Sequence, residues 1–319
     1  MRQSNESFLQ KNWVVALLAL LCCFLWGSAF PCVKIGYSLF HIAAEDIASQ
    51  ILFAGARFTL AGLLTIAIGS ILSKKILVPA KSSWGMVVKL SLAQTVIQYL
   101  FFYIGLDNTS GVKASIIEAS NVFFAILMSS LLFHYETLGA CKLLGVVLGF
   151  AGVVLINLNG GSLDHAMSFQ GEGFMMLSAL SYALSSVLIK RYGQRENPVT
   201  LSGYQFVLGG LIMAAAGFMM GGRLRGFTAA ATALLLYMAM ISAVAYSIWG
   251  ILLKHNPVGK VAVFGFMNPV FGVILSAILL QEQNQAFTQQ GLISLLLVCA
   301  GIYLVNLDFS GHRGKKSVE

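Results

Sequence analysis

Residues 120–132 read SNVFFAILMSSLL, and residues 267–279 read MNPVFGVILSAIL. At the shift of 147 positions that separates them, Asn121 aligns with Asn268 and Ser129 aligns with Ser276. Both stretches are otherwise apolar, and both lie inside longer apolar runs. A match between two distant apolar segments is typical of membrane proteins that are built from an internal repeat.

Further matches extend this duplication over almost the whole chain. ARFTLAG at 56–62 aligns with YQFVLGG at 204–210, which places Gln205 opposite Arg57. Lys34 aligns with Lys190, and AGVVLINL at 151–158 aligns with AGIYLVNL at 300–307. We therefore divide the chain into a first repeat at 13–158, a second repeat at 170–307 and a basic tail at 308–319.

The composition indicates that most of the surface contacts lipid. Hydrophobic residues make up 58% of the 319 residues and charged residues only 10%, whereas soluble domains are nearer a quarter charged. A helix needs about 20 mostly apolar residues to cross a bilayer. Ten such runs lie near residues 13–33, 48–72, 84–106, 112–133, 138–158, 170–189, 200–220, 230–252, 260–280 and 287–307. The sequence thus predicts an all-α integral membrane protein with ten transmembrane helices.

Charge predicts how these helices are oriented. Five spans in each repeat is an odd number, so the second repeat should be inverted relative to the first. If both termini are cytoplasmic, 14 of the 20 Lys and Arg residues fall on the cytoplasmic side, as the positive-inside rule requires. The 14 are Arg2, Lys11, Lys74, Lys75, Lys81, Lys142, Lys190, Arg191, Arg195, Lys254, Lys260, Arg313, Lys315 and Lys316.

Glu118 is the outstanding residue of the fourth span. It follows Ser115 and precedes Asn121 at a spacing of three, so these polar side chains share one helix face. Ionisable groups within spans usually face a cavity or a partner. We expect Glu118 to bind substrate or a proton; a structural ion pair and a position at the membrane interface are the alternatives.

The ninth span carries the equivalent stripe, with Gly265 opposite Glu118 and Asn268 opposite Asn121. Small residues also permit close helix packing, so a packing seam competes with a cavity wall. Our hypothesis is that a substrate amine meets Glu118 while the rest of the substrate fills the space beside Gly265. Arg57, deep in the second span, either pairs with Glu118 or binds a substrate carboxylate in a bidentate manner.

Four more residues are candidates for the cavity wall. Gln94 and Gln98 are polar residues at helical spacing in the third span, and Trp26 and Tyr182 occupy equivalent positions in the first and sixth spans. Hydrogen bonding between helices and aromatic packing are the alternative explanations. Gly145 and Gly149 predict a packing seam, either within one protomer or in a homodimer.

Other function classes fit the sequence less well. The five histidines lie at span ends or in loops, and no nucleophile stands beside a base, so we expect no enzyme, catalytic residue or cofactor. The five cysteines lie in or beside apolar runs without a metal-binding spacing, which predicts buried fillers and no metal. A basic run suited to nucleic acid is also missing from the sequence.

The chain resembles the EamA type of the drug/metabolite transporter superfamily. The residues that carry the resemblance are WGSAFPCVK, ARF, YIGLDNTSGVKASIIEASNVF, the LLFHYETL and LLQEQNQ ends, and the closing GFAGVVLINL and CAGIYLVNL segments. It implies a ten-helix exporter of amino acids or other small metabolites. Glu118 departs from what most members would have at that position.

Taken with the repeat, this resemblance predicts a secondary transporter in the plasma (cell inner) membrane that works by alternating access. Its partners would be a small-molecule substrate, the lipid bilayer and, if Glu118 couples transport, protons. Uptake of another small solute, such as a nucleoside, sugar or cationic drug, is the alternative. A membrane sensor or scaffold that transports nothing is a further alternative.

Overall fold

The computed structural model is all-helical, with 82% of its residues in helices. It describes residues 8–135, 137–158, 168–256 and 261–306. The predicted basic tail at 308–319 and Lys260 lie outside these ranges.

Ten long helices run through the described ranges, and we number them α1 to α10. Their bounds are Asn12–Leu39, Ile47–Ser73, Lys81–Asp107, Gly111–Leu132, Ala140–Ile156, Phe169–Tyr192, Pro198–Met219, Ala229–His255, Val263–Leu279 and Gln289–Asn306. Eight are long and apolar enough to cross a membrane, while α5 and α9 are apolar but shorter. Large apolar side chains such as Leu296 and Phe218 are exposed. The chain is therefore a multi-pass membrane protein.

Each predicted span coincides with one of these helices. Several of the helices start with ordinary capping chemistry, in which a side-chain oxygen accepts from a free backbone N–H of the first turn. Asp46 caps α2, Ser110 caps α4 and Thr228 caps α8 in this way. The largest boundary difference is at α1, predicted to end near residue 33 and observed to end at Leu39.

Glycines allow the two closest helix pairs to approach. In α2 and α7, a Cβ added at Gly55 would lie 2.2 Å from the backbone nitrogen of Ala214. In α5 and α10, a Cβ at Gly301 would lie 2.6 Å from the carbonyl oxygen of Gly145 and 2.8 Å from the nitrogen of Gly149. The predicted seam at Gly145 and Gly149 thus joins two helices of one protomer.

The packing of the helices repeats when the two halves are exchanged. Helix α1 packs against α8 and α9, and its counterpart α6 packs against α3 and α4. Helix α2 packs against α8, and its counterpart α7 packs against α3 in the same way. In the pairs α2–α7 and α5–α10 each helix packs against its own counterpart, so exchanging the halves leaves these pairs unchanged. This arrangement places α4 and α9 at equivalent positions, with a Cβ at Gly272 of α9 only 2.5 Å from the Ser115 Cβ of α4.

Helices α3, α4, α6 and α9 depart from α geometry over part of their length, and α6 does so in a π-helix at Phe169–Gly173. Helix α3 is a π-helix at Ser91–Ile97, and α9 begins with a 3-10 turn at Val263–Phe266. Helix α4 is interrupted by a turn at residues 119–120, directly after Glu118. Interrupted helices free backbone polar groups inside a membrane protein, and transporters commonly place them at a binding site.

Candidate functional site

A cavity of about 540 Å³ lies between the two halves. Every long helix except α7 contributes to its lining. The interrupted parts of α4 and α9 both reach it, through Glu118 and Ala119 on one side and Gly265 on the other. The volume lies within the ordinary range for sites that bind small molecules.

The structure brings eight of the nine predicted site residues together around this cavity. They are Trp26, Arg57, Gln98, Glu118, Asn121, Tyr182, Gly265 and Asn268. Gln94 is outside the lining. Its side-chain oxygen accepts a hydrogen bond of 2.5 Å from the Gln205 amide of α7, and its amide donates to the hydroxyl of the lining residue Tyr246 at 3.3 Å, so it lies directly behind the cavity wall.

Glu118 reaches the cavity as a buried carboxylate with few partners. It is 7% exposed. One of its oxygens accepts from the Ser178 hydroxyl at 3.4 Å, and the other, Oε2, has no hydrogen-bond partner in the described part of the chain. The Asn121 amide donates to the backbone carbonyl of Glu118 at 2.6 Å and so satisfies a group that the interruption of α4 exposes.

Of the two alternatives for Arg57, the pairing with Glu118 is not observed in the described part of the chain. Its guanidinium donates to the Met238 carbonyl at 3.2 Å, the Tyr103 hydroxyl at 2.9 Å and the Ser242 hydroxyl at 3.4 Å. It also lies over the Phe58 ring, 4.9 Å from the centroid. These contacts draw Arg57 towards α8 and the end of α3, so within the described ranges no ion pair joins it to Glu118.

The cavity extends to the helix ends on one side of the molecule. Lys142 at the start of α5, Lys190 near the end of α6 and Asn306 at the end of α10 all line it. The start of α5 and the end of α10 are neighbours, since the Cys141 thiol lies 3.8 Å from the Leu304 carbonyl. The lining includes no residue from the opposite ends of these helices. We call the first side the open end and the other the sealed end.

Glu282, in the connection between α9 and α10, closes part of the sealed end. Its two carboxylate oxygens accept from the backbone nitrogens of Gly111 and Val112 at 3.0 and 2.9 Å. Its carboxylate also lies 4.0 Å from the Lys34 ammonium, which donates to the Thr109 carbonyl at 2.5 Å. Glu282 thereby binds the second half to the first turn of α4, whose free backbone N–H groups favour a negative charge.

Glu172, near the start of α6, forms a second contact of the same kind. It accepts from the Thr109 hydroxyl and the Ser168 backbone nitrogen, both at 2.8 Å. Its carboxylate lies 3.6 Å from the Lys113 ammonium. The connection between α3 and α4 is thus held from two sides by carboxylates of the second repeat.

Comparison with known families agrees with this architecture. The model of the EamA-like transporter family matches residues 13–158 and again residues 169–307. The chain belongs to the EamA-like transporter family. The two matches coincide with the repeats predicted from the sequence.

Individual relatives cover nearly the full length of this EamA-like transporter. An uncharacterized transporter of Bacillus subtilis is 28% identical over 96% of this chain and 95% of its own. A probable amino-acid metabolite efflux pump of Salmonella typhimurium is 28% identical over 93% and 96%. A solved crystal structure aligns with a TM-score of 0.66 at 17% identity, covering 92% of this chain and 96% of the other, which supports the fold alone.

Several lining residues of this EamA-like transporter were not among the predicted site residues. Five of them are aromatic: Phe30, Tyr99, Phe102, Tyr246 and Trp249. The Trp26 ring lies edge-on to Tyr246 and Trp249, with centroids 5.5 and 5.2 Å apart. The repeat offered one signal, because Tyr99 and Tyr246 occupy equivalent positions at the 147-residue shift. Phe102 and Trp249, both aromatic, align at the same shift.

Proposed function

We propose that this EamA-like transporter is a secondary active exporter of amino acids or related small metabolites, and that it works by alternating access. The proposal is carried by one observation: the central cavity is continuous with one end of the molecule and is separated from the other end by the Glu282 and Glu172 contacts. A transporter that alternates between two faces needs a binding site closed on one side at a time.

The buried polar atoms around the cavity support a binding role. Five of the described lining residues have a buried side-chain nitrogen or oxygen without a hydrogen-bond partner; they are Trp26, Gln98, Glu118, Ser129 and Asn268. Buried polar groups are normally hydrogen-bonded, and exceptions point to a bound molecule or water. A substrate would satisfy these groups.

The location and direction follow from charge and from the relatives. The Lys and Arg bias predicts cytoplasmic termini. With the termini inside, the cavity of this conformation opens to the cytoplasm, because Lys142 and Lys190 then lie on that side. An exporter must load its substrate there, and the Salmonella relative carries the name of an efflux pump. We assign the protein to the plasma membrane.

Flux through proteoliposomes tests the function. Purified protein should release preloaded amino acids or related amines faster than protein-free vesicles do. An imposed pH gradient should change that rate if protons are coupled, and Glu118→Gln should remove the change. If a broad panel of amino acids and amines is released no faster than from protein-free vesicles, the protein is not their transporter. Uptake of a solute without release would mean that the protein imports it.

A further inference from the structure

We infer that the cavity recognises its substrate through an ammonium group, and that a substrate carboxylate is dispensable. This inference rests on the proposed function only in taking the cavity as the substrate site. Amines, amino-acid amides and similar cations would therefore be ligands, beside or in place of free amino acids.

The unpartnered atoms of the cavity are mostly acceptors. Three of them can only accept a hydrogen bond: Glu118 Oε2, Gln98 Oε1 and Asn268 Oδ1. They come from three different helices around the same space. Among the buried unpartnered side-chain atoms of the described lining, only the indole nitrogen of Trp26 is exclusively a donor. An ammonium group, with three N–H donors and no acceptor, complements such a set.

The Glu118 carboxylate favours the same ligand. Glu118 is the one carboxylate among the described lining residues, and an ionised carboxylate that is buried without a partner is unfavourable. A substrate cation beside Oε2 would compensate this charge. In the absence of a substrate, a proton would do the same, so binding of the two should be competitive.

The deep cation of the cavity is already engaged. Arg57 uses three of its nitrogens on Met238, Tyr103 and Ser242, all within the protein. A guanidinium has five N–H donors, so these three contacts leave two of them, one on each terminal nitrogen, for a substrate. Deep in the cavity an ammonium group thus finds the unpartnered acceptor oxygens, whereas the cations Lys142 and Lys190 lie at the open end of the lining.

The aromatic wall suits an ammonium ion with an apolar body. Trp26, Tyr246 and Trp249 form one cluster on the lining, and Phe30 and Phe102 form another, with centroids 5.5 Å apart. The face of an aromatic ring attracts a cation and repels an anion. The same rings would cover an apolar or aromatic side group.

Four small molecules that share a phenyl ring distinguish recognition of an ammonium group from recognition of a carboxylate. 2-Phenylethylamine carries only the amine, phenylalaninamide carries an amine and a neutral amide, phenylalanine carries both charges, and 3-phenylpropionate carries only the carboxylate. Because Trp26 and Trp249 line the cavity, binding to the full-length protein in detergent can be followed by intrinsic tryptophan fluorescence. We expect the first two to bind, phenylalanine to bind no more tightly than 2-phenylethylamine, and 3-phenylpropionate not to bind.

Variants complete the test. Glu118→Gln should weaken 2-phenylethylamine binding by about tenfold or more, the loss expected for one hydrogen bond to a charged group. Glu118→Asp should keep part of the affinity. Glu196→Gln, which removes a carboxylate far from the lining, should leave the affinity unchanged. Size-exclusion and thermal melting profiles equal to those of the parent protein establish that each variant is folded.

Two results would overturn the inference: 3-phenylpropionate binding as tightly as the amine, or unchanged amine affinity in folded Glu118→Gln. Vesicle flux separates this outcome from failure of the transporter proposal. Amine binding without any flux contradicts transport and leaves amine recognition standing. Flux that requires a substrate carboxylate supports transport and contradicts amine recognition.

Discussion

Arg57 is buried with several hydrogen-bond partners and Glu118 with few. Variants of Arg57 should therefore lose stability, and variants of Glu118 should lose substrate binding. Arg57 is held by three hydrogen bonds and an aromatic ring. Lysine cannot reproduce this fork of donors. We expect Arg57→Lys to lower the melting temperature in detergent, since each lost bond to a charged group is worth about 1.5–3 kcal/mol. Protein that remains folded should keep its amine affinity.

Folded Glu118→Gln should show the reverse pattern, with a melting temperature near that of the parent and weak amine binding. Thermal melting and fluorescence titration of the two variants side by side provide the measurement. If Arg57→Lys melts normally but loses binding, Arg57 contacts the substrate directly and its present bonds are released on binding.

Gly301 offers a residue-scale test of the packing between α5 and α10. Its added Cβ would meet backbone atoms of Gly145 and Gly149 below 3.0 Å, and backbone cannot move aside as a side chain can. We expect Gly301→Ala to destabilise the protein by about 1–3 kcal/mol, the usual effect of overpacking. Fluorescence-detected size-exclusion melting would measure the change.

Gly250→Ala is the matched control, because a Cβ at Gly250 of α8 meets only Pro198 Cβ, at 3.9 Å. Its melting temperature should equal that of the parent protein or exceed it slightly, since alanine favours a helix. Equal melting temperatures of Gly301→Ala and Gly250→Ala would show that α5 and α10 can move apart without loss of stability.

At this scale the sequence predicted which residues meet but not how they pair. The repeat and the helical spacing were enough to place Glu118, Asn121, Gly265 and Asn268 around one space, because both depend on position alone. The partners of Arg57 could not be foreseen, since one of them is the backbone carbonyl of Met238, a group that every residue possesses. Gln94 failed for a similar reason, as its contact with Gln205 crosses to another helix.

At the scale of helices and connections, the carboxylate of Glu282 should control access from the sealed end. Glu282→Gln removes the charge that holds two backbone nitrogens of α4 and the ammonium of Lys34. We expect this end to open more often. Ser276→Cys in a background without the native cysteines reports the opening, because Ser276 is fully buried and lies against Gly111.

A membrane-impermeant maleimide should label Ser276→Cys several-fold faster when Glu282→Gln is also present. Glu196→Gln supplies the control. Glu196 likewise accepts from backbone nitrogens, those of Ala80 and Asn197 at 2.9 and 3.0 Å, but it joins different connections. Equal labelling rates with and without Glu282→Gln would mean that this contact does not keep the end closed.

The sequence predicted the helices better than the irregular segments within them. Apolar runs bounded by charge and turn residues determine where a membrane helix begins and ends, so the ten spans were predicted within a few residues. Neither the interruption after Glu118 nor the π-helix at Ser91–Ile97 contains a proline that would have predicted it from the sequence. The interruption after Glu118 is accompanied by the local contact of the Asn121 amide with the Glu118 carbonyl, a contact that many Asn residues within helices do not make.

At the scale of the whole molecule, α7 stands apart from the cavity and packs along α2, while the pair α5–α10 forms the other close contact. Both pairs map onto themselves when the halves are exchanged. The pair α4–α9 at the cavity also maps onto itself, whereas the contacts of α1 with α8 and α9 exchange with those of α6 with α3 and α4. We propose that the α2–α7 and α5–α10 contacts stay intact while α1, α3, α6 and α8 shift between faces.

The orientation of the molecule decides whether this conformation can load substrate for export. Lys190 lies on the open end and lines the cavity, whereas Arg225 lies exposed in the connection between α7 and α8. Cytoplasmic termini place Lys190 inside and Arg225 outside. In a cysteine-free background, an impermeant thiol reagent added to intact cells should label Arg225→Cys and not Lys190→Cys, and Lys190→Cys should react once the cells are opened. The reverse pattern would place the cavity on the outer face, and the conformation seen here would then be the one that releases an exported solute.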